Sequence, residues 1–192
     1  MDLPSLIAAS ADLRLESQRL VLRRFTGDDV ATALAHEQDR TIMRWIRDPQ
    51  PIAKIQERIQ AMRGPWTGAD GEWLTLAIAP KPLQAMVGIV VCRVSTAANE
   101  DMELGYRLQP DVQRRGYTFE ACSRLLDHLF GAIGVRKVTA HCTVENEASW
   151  RLMEKLGMRR EARLREYTLL DGAWRDAFVY GLLAREWRPP TT

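Results

Sequence analysis

A chain of 192 residues is long enough for one domain with a substantial hydrophobic core, and 46% hydrophobic with 27% charged residues is the balance of an ordinary globular protein. A formal net charge of +2 is too small to call for a nucleic-acid or membrane partner. Cys92, Cys122 and Cys142 stand far apart with no CxxC pair, which argues against a disulfide frame or a zinc site and for reduced thiols in the cytoplasm.

The opening MDLPSLIAASADLRLES has a short apolar stretch with no basic residue before it, so it reads as neither a secretory signal nor a membrane span. Residues 1–18 are expected to form a flexible tail. RLVLRRF (19–25) interleaves apolar residues with arginines, as an edge strand does. Thr26 then caps a helix, with Asp28 and Asp29 in its first turn at the positive end of the dipole. An irregular Arg- and Trp-rich stretch, 36–50, leads to a helix over 51–63 that begins at Pro51 and aligns Ile52, Ile55, Ile59 and Met62 on one face.

After the breaker run GPWTGADG come three strand segments, EWLTLAIA, AMVGIVVCRV and MELGYRL, whose short connections predict an antiparallel meander. A helix is expected over 115–132 and a strand over 135–144. NEASWRLMEKLG has helical periodicity and stops at Gly157, a C-terminal cap. Two strands, 158–170 and 174–183, close the chain around Asp171-Gly172, a strong hairpin signal. The order predicts a single α/β domain with a mixed sheet.

One loop has the means to bind phosphate. Gln113-Arg114-Arg115-Gly116-Tyr117-Thr118 follows a strand and opens a helix, where the first backbone N–H groups lack internal partners. Gly116 permits close approach to the main chain, and Arg114 and Arg115 add full charges. By itself, a glycine before a helix is also ordinary punctuation. Asn146 has two readings as well, a helix N-cap and a side-chain amide donor; Ser149 shares its face one turn later. The histidines form no ligand pattern, so no metal is expected.

Together these segments resemble the GNAT superfamily of acetyltransferases. Gln113-x-x-Gly116 is similar to the family's pyrophosphate loop, with Thr118 where the family carries Gly or Ala. Asn146-Glu-Ala-Ser149 with Glu154-Lys155-Leu156-Gly157, and Glu103-Leu104-Gly105-Tyr106, resemble its last helix and its fourth strand. The hairpin 163–187 resembles that of the RimJ/RimL branch, which includes ribosomal-protein N-terminal acetyltransferases. The resemblance covers 19–188. It implies a mostly antiparallel sheet splayed between its fourth and fifth strands and flanked by helices.

It further implies acetyl-CoA as cosubstrate, held by Leu104, the 113–118 loop, Asn146 and Ser149, with a backbone N–H at the splay polarising the thioester. The acceptor implied is a primary amine, foremost a protein N-terminus. A polyamine, amino acid or aminoglycoside is the alternative within enzymes, and a non-catalytic CoA-binding or interaction domain the alternative outside them. Nothing in the sequence separates monomer from homodimer, although the edge strands, Trp174 and Trp187 would allow the latter.

The chemistry sets the demands. A lysine of pKa ~10.4 is neutral in about one molecule in 2,500 at pH 7, a cost of about 4.6 kcal/mol, whereas an α-amine near 7.8 costs about 1 kcal/mol. Glu103 is the base assigned here; its carboxylate would serve equally to tether a strand end or an arginine. Family members carry a tyrosine acid where this chain has Met153, so Ser149 is the hydroxyl named in its place. The acceptor is expected between 36–50 and the closing hairpin. The arginines of 40–47 are interspersed with Glu37, Asp39 and Asp48, so sequence proximity assigns that region no net sign.

Overall fold

A computed structural model describes residues 3–69, 71–96 and 100–189. The chain starts with α1 (Leu3–Ser10) and β1 (Arg14–Glu16), followed by β2 (Leu20–Arg24). The segment expected as a flexible tail is therefore built into the domain. Leu6, Leu13 and Leu15 are buried in the main core, because α1 covers apolar surface that the sheet would otherwise expose. β1 pairs antiparallel with β2, so β2 is an inner strand and not the edge its sequence suggested. Its arginines are used internally: Arg23 forms an ion pair with the buried Asp29 at 2.7 Å.

Asp29 also accepts bonds from the Thr26 N–H and hydroxyl, closing the turn ahead of α2 (Val30–Gln38). The stretch read as irregular contains the end of α2 and a short α3 (Arg40–Met43), whose first N–H groups are capped by the Asp39 carboxylate. α4 (Ile52–Arg63) buries Ile55, Ile59 and Met62 as expected, but Ile52, in its first turn, is exposed.

β3 (Leu74–Pro80), β4 (Gly88–Thr96) and β5 (Asp101–Leu108) form the antiparallel meander. β3 is buried at every position because both faces of the sheet are covered. Leu74, Leu76 and Ile78 point into the main core, while Ala77 contributes to a smaller cluster with Ile55, Ile59 and Met62 of α4. Next come α5 (Tyr117–Asp127), β6 (Lys137–Thr143), α6 (Glu147–Lys155), β7 (Arg159–Leu170) and β8 (Ala173–Leu183). The helix expected to run to 132 changes pitch at His128, where a wider π turn spans His128–Ala132.

Asp171 and Gly172 both have positive φ, the conformation that a two-residue hairpin of matching twist requires. Trp174 beside this turn is exposed, whereas Trp187 is buried and donates its ring N–H to Asp127. Trp187 is thus a core residue and not a surface available to a partner.

Among the described residues, eight strands lie in the order β1-β2-β3-β4-β5-β6-β8-β7. Seven neighbouring pairs include one parallel contact, between β5 and β6, and that contact is short. It runs from Asp101–Lys137 to Glu103–Thr139 and ends there, while β6 stays paired with β8 to Thr143. Beyond Glu103 the two strands separate. The sheet is splayed where the resemblance placed the opening, between the strand carrying Glu103 and the next strand in sequence.

Candidate active site

The opening leads into a cleft of about 520 Å³. Glu103, Leu104, Asn146 and Ser149 all line it. Residues 113–118 do not; 113–116 form an exposed loop, and the half-buried Tyr117 and Thr118 open α5. The predicted residues therefore fall in two places, a cleft and a cradle.

Alternation along β5 divides the cleft residues by face. Glu103, Gly105 and Arg107 share the face covered by α2 and α4, and Arg107 is paired across the sheet with Ile89 of that cluster. Leu104 and Tyr106 point the other way, into the core beneath α5 and α6. Gly105, between Glu103 and Arg107, lies against the Val91 side chain and the Trp73 ring, which a Cβ there would meet at 3.0 Å and 3.8 Å.

Glu103 is tethered. The Arg93 guanidinium donates to its Oε2 from Nε at 2.8 Å and from Nη2 at 2.6 Å, and Arg93 in turn lies 4.6 Å from the centre of the Trp73 ring. Both bonds fall on one oxygen, which leaves Oε1 to accept from another donor. On the opposite face the Tyr106 hydroxyl lies 3.0 Å from Ser149 Oγ and 3.2 Å from the Ser149 carbonyl. Burial pushes the Tyr106 phenol well above its ordinary value, so it keeps its proton. Cys142, also in the cleft wall, is raised by burial to about 11 and stays a thiol.

Asn146 caps α6, its Oδ1 accepting from the Ser149 N–H, and this leaves Nδ2 as a donor. Met153, one turn after Ser149, is buried in the cleft wall and offers no proton. Further residues complete the lining, among them Trp45, which like Trp66 lies in an irregular segment where the sequence allows acceptor contacts. His141 of β6 meets Tyr167 edge-on at 5.9 Å, and Tyr167 is presented where the β7 register shifts between Leu164 and Thr168. Trp45 and Trp73 line the same space, whereas Trp66 is buried with its ring N–H on the Glu72 carbonyl. His141 and Trp73 lay within strand-like runs, and nothing local distinguished them from core residues.

The cradle has its own architecture. Arg114 and Gly116 both have positive φ, at 61° and 80°, so the loop curls as it enters α5. Such a turn directs consecutive N–H groups to one side, next to the positive end of the helix dipole. Arg19 braces it, donating to the Arg115 carbonyl at 2.9 Å and to Glu120 at 2.7 Å. A Cβ on Gly116 would come within 3.3 Å of the Arg19 guanidinium. Gln113 is turned inward, its side-chain amide donating to the Leu108 carbonyl, so it holds the loop against the end of β5. An exposed cradle of free N–H groups and guanidiniums suits a polyanionic diphosphate, and the opening beyond it suits the amide-bearing arm of acetyl-CoA.

Splayed sheet, glycine cradle and capped last helix define an acyltransferase of the GNAT class. Residues 19–159 match the model of the acetyltransferase (GNAT) domain family, and the chain belongs to that family. It is an acyl-CoA-dependent N-acetyltransferase. An uncharacterized N-acetyltransferase of Bacillus subtilis, YnaD, is 25% identical over 175 residues, 91% of this chain and 99% of that protein. The ribosomal protein uS5-alanine N-acetyltransferase of Escherichia coli is 29% identical over 86 residues, covering 45% of this chain and 44% of the other. A GNAT acetyltransferase from Bacillus anthracis superposes with a TM-score of 0.79 at 23% identity, over 91% of this chain and all of that one, and shares its fold. Among the described residues, no helix is long and apolar enough to cross a membrane.

Proposed function

We propose that this enzyme acetylates an α-amine, with the acceptor entering on the Glu103 face of the splay and acetyl-CoA on the face of α5 and α6. The observation that carries this reading is the placement of a carboxylate and a hydroxyl pair on opposite sides of one opening. Glu103 Oε1 takes the proton of the attacking amine, directly or through one water, while Arg93 fixes the carboxylate. The backbone N–H at Leu104, beyond the last β5–β6 ladder pair, is positioned to polarise the thioester carbonyl. Ser149, oriented by Tyr106, donates toward the leaving sulfur.

Gln113 and the main chain of Arg114, Arg115, Gly116, Tyr117 and Thr118 hold the diphosphate, and Asn146 Nδ2 donates to the pantetheine arm. Acetyl-CoA supplies the electrophilic carbon and a good leaving group. The cost of deprotonation favours the α-amine. A carboxylate already engaged by Arg93 has to supply about 1 kcal/mol for it, against about 4.6 for a lysine. Similarity to the uS5-alanine enzyme over part of the chain supports the same choice. We place the activity in the cytoplasm, where the three buried, unpaired thiols stay reduced.

Calorimetry with acetyl-CoA on the wild type and Gly116→Trp tests the cradle, and thiol release with an alanine-initiated peptide against an Nα-blocked lysine tests the acceptor. Micromolar binding lost in the variant, with turnover of the peptide alone, supports the assignment. Binding without turnover of either amine removes the catalytic reading of Glu103 and Ser149, and equal turnover removes the α-amine.

A further inference from the structure

The cleft has a cationic end that the mechanism above does not use. Arg47, Arg58 and Arg107 all line it, and all three converge on the single carboxylate of Glu37. Glu37 is buried, with 1% of its side chain exposed, and its Oε2 receives Arg58 Nη1 at 2.6 Å and faces Arg47 Nη1 at 3.6 Å. Arg107 donates its Nη1 to Glu37 Oε1. Its own side chain is only 6% exposed, yet Nε and Nη2 have no hydrogen-bond partner.

The other nearby carboxylates are engaged elsewhere. Asp39 caps α3, Asp48 accepts from the Asp171 N–H, and Asp171 pairs with Arg40. Of the two carboxylates that line the cleft itself, Glu103 is held by Arg93 and Glu72 by the Thr67 N–H and hydroxyl. Three guanidiniums thus share one carboxylate, and two buried donors of Arg107 remain unmet. An unsatisfied buried cationic donor is costly, and a ligand oxygen would relieve it.

We infer that this cluster is an anion subsite for the acceptor, and that the amine acetylated here carries a carboxylate bound by Arg107 with Arg47 and Arg58. The inference deepens the α-amine reading and rests on it for the position of the amine. Arg107 follows Glu103 by four residues on the same face of β5, placing their Cα atoms about 13 Å apart with Gly105, which carries no side chain, between them. An acceptor of one or two amino-acid residues would bridge the gap left between the two side chains. A free amino acid and a peptide with an acidic residue near its N-terminus present the same chemistry, and the planar fork of an arginine suits a carboxylate bidentately.

The test is thiol release from acetyl-CoA with matched acceptors: glutamate against glutamine amide, and the C-terminally amidated peptides Asp-Ala-Ala and Asn-Ala-Ala. The carboxylate member of at least one pair is expected to have a kcat/KM at least tenfold higher, and which pair responds identifies the source. Arg47→Gln, at the more exposed side of the cluster, is expected to cut that preference several-fold while acetyl-CoA binding is unchanged; Arg63→Gln, on the exposed surface of α4, serves as the charge control. Equal use of both members in both pairs overturns the subsite and leaves the transferase intact, as does a preference indifferent to Arg47→Gln.

Calorimetry with N-acetylglutamate and N-acetylglutamine amide reads the subsite without chemistry. Selective binding of the acid, lost in Arg47→Gln, supports it even if no acceptor turns over. Absence of selectivity in both assays overturns it.

Discussion

The Tyr106 hydroxyl lies 3.0 Å from Ser149 Oγ, linking β5 to α6 across the opening in the sheet. The bond joins two segments 43 residues apart and leaves the serine hydroxyl oriented where Met153 supplies no proton. Because burial keeps the phenol protonated, Tyr106 acts as an orienting partner throughout the working pH range.

Removing either member of this pair is expected to lower kcat about 3- to 30-fold with little change in acetyl-CoA affinity, the scale of one hydrogen bond with some geometric disorder. In Tyr106→Phe and Ser149→Ala the losses should not add, because both act on the same proton. Steady-state kinetics on the two single variants and the double variant check this. Full additivity, or a Ser149→Ala enzyme with unchanged turnover, removes the serine from the mechanism.

Glu103→Gln keeps the shape of the side chain but ends its ability to take a proton. A 10- to 100-fold fall in kcat/KM with loss of the acidic limb of the pH profile is expected for a base. If Glu103 serves only to hold Arg93, the variant keeps the wild-type pH profile and loses thermal stability instead. Rate profiles and melting curves measured side by side separate the two.

Glu37 links stability to pH. Burial works against its charge, but Arg107, Arg47 and Arg58 outweigh burial and hold its carboxyl below the usual carboxylate range. A carboxyl depressed in the folded state contributes stability that is present above the unfolded value of about 4.3 and is lost as pH falls through the folded value. Urea unfolding between pH 7 and pH 3 should therefore show a decline below about pH 4.3 that Glu37→Gln lessens. The same substitution should cost about 3–5 kcal/mol at pH 7, since it leaves buried guanidiniums without their counter-charge.

Leu6 tests the N-terminal segment. It is fully buried beneath the sheet, so Leu6→Ala should destabilise the domain by about 2–5 kcal/mol. For a domain of this size that corresponds to a Tm lower by roughly 4–20 °C. An unchanged melting temperature would return α1 to the status of a loosely held tail.

What sequence could determine here was local. The meander, the Asp171-Gly172 hairpin, the Gly157 stop and the cap at Asn146 depend on periodicity and backbone preference within a few residues, and each is found where those signals lie. The turn at Gly116 was legible for the same reason: Gly116 sits before a helix, and its positive φ is a property of the loop itself. Tertiary structure decided what depends on distant partners. The strand-like run 19–25 carries no sign that Arg14–Glu16 will pair beside it, and a short segment such as 3–10 is helical in the structure while covering apolar surface of the folded sheet.

Charge shows the difference most clearly. In sequence, Glu37, Asp39 and Asp48 neutralise the arginines around them; in the fold, Asp39 and Asp48 satisfy backbone N–H groups, and Arg58 and Arg107 arrive from α4 and β5 to share Glu37. Electrostatic interaction falls with spatial distance and follows burial, neither of which chain separation measures, so the cationic character of the Arg47, Arg58 and Arg107 end of the cleft emerged only when the strands and helices were packed together.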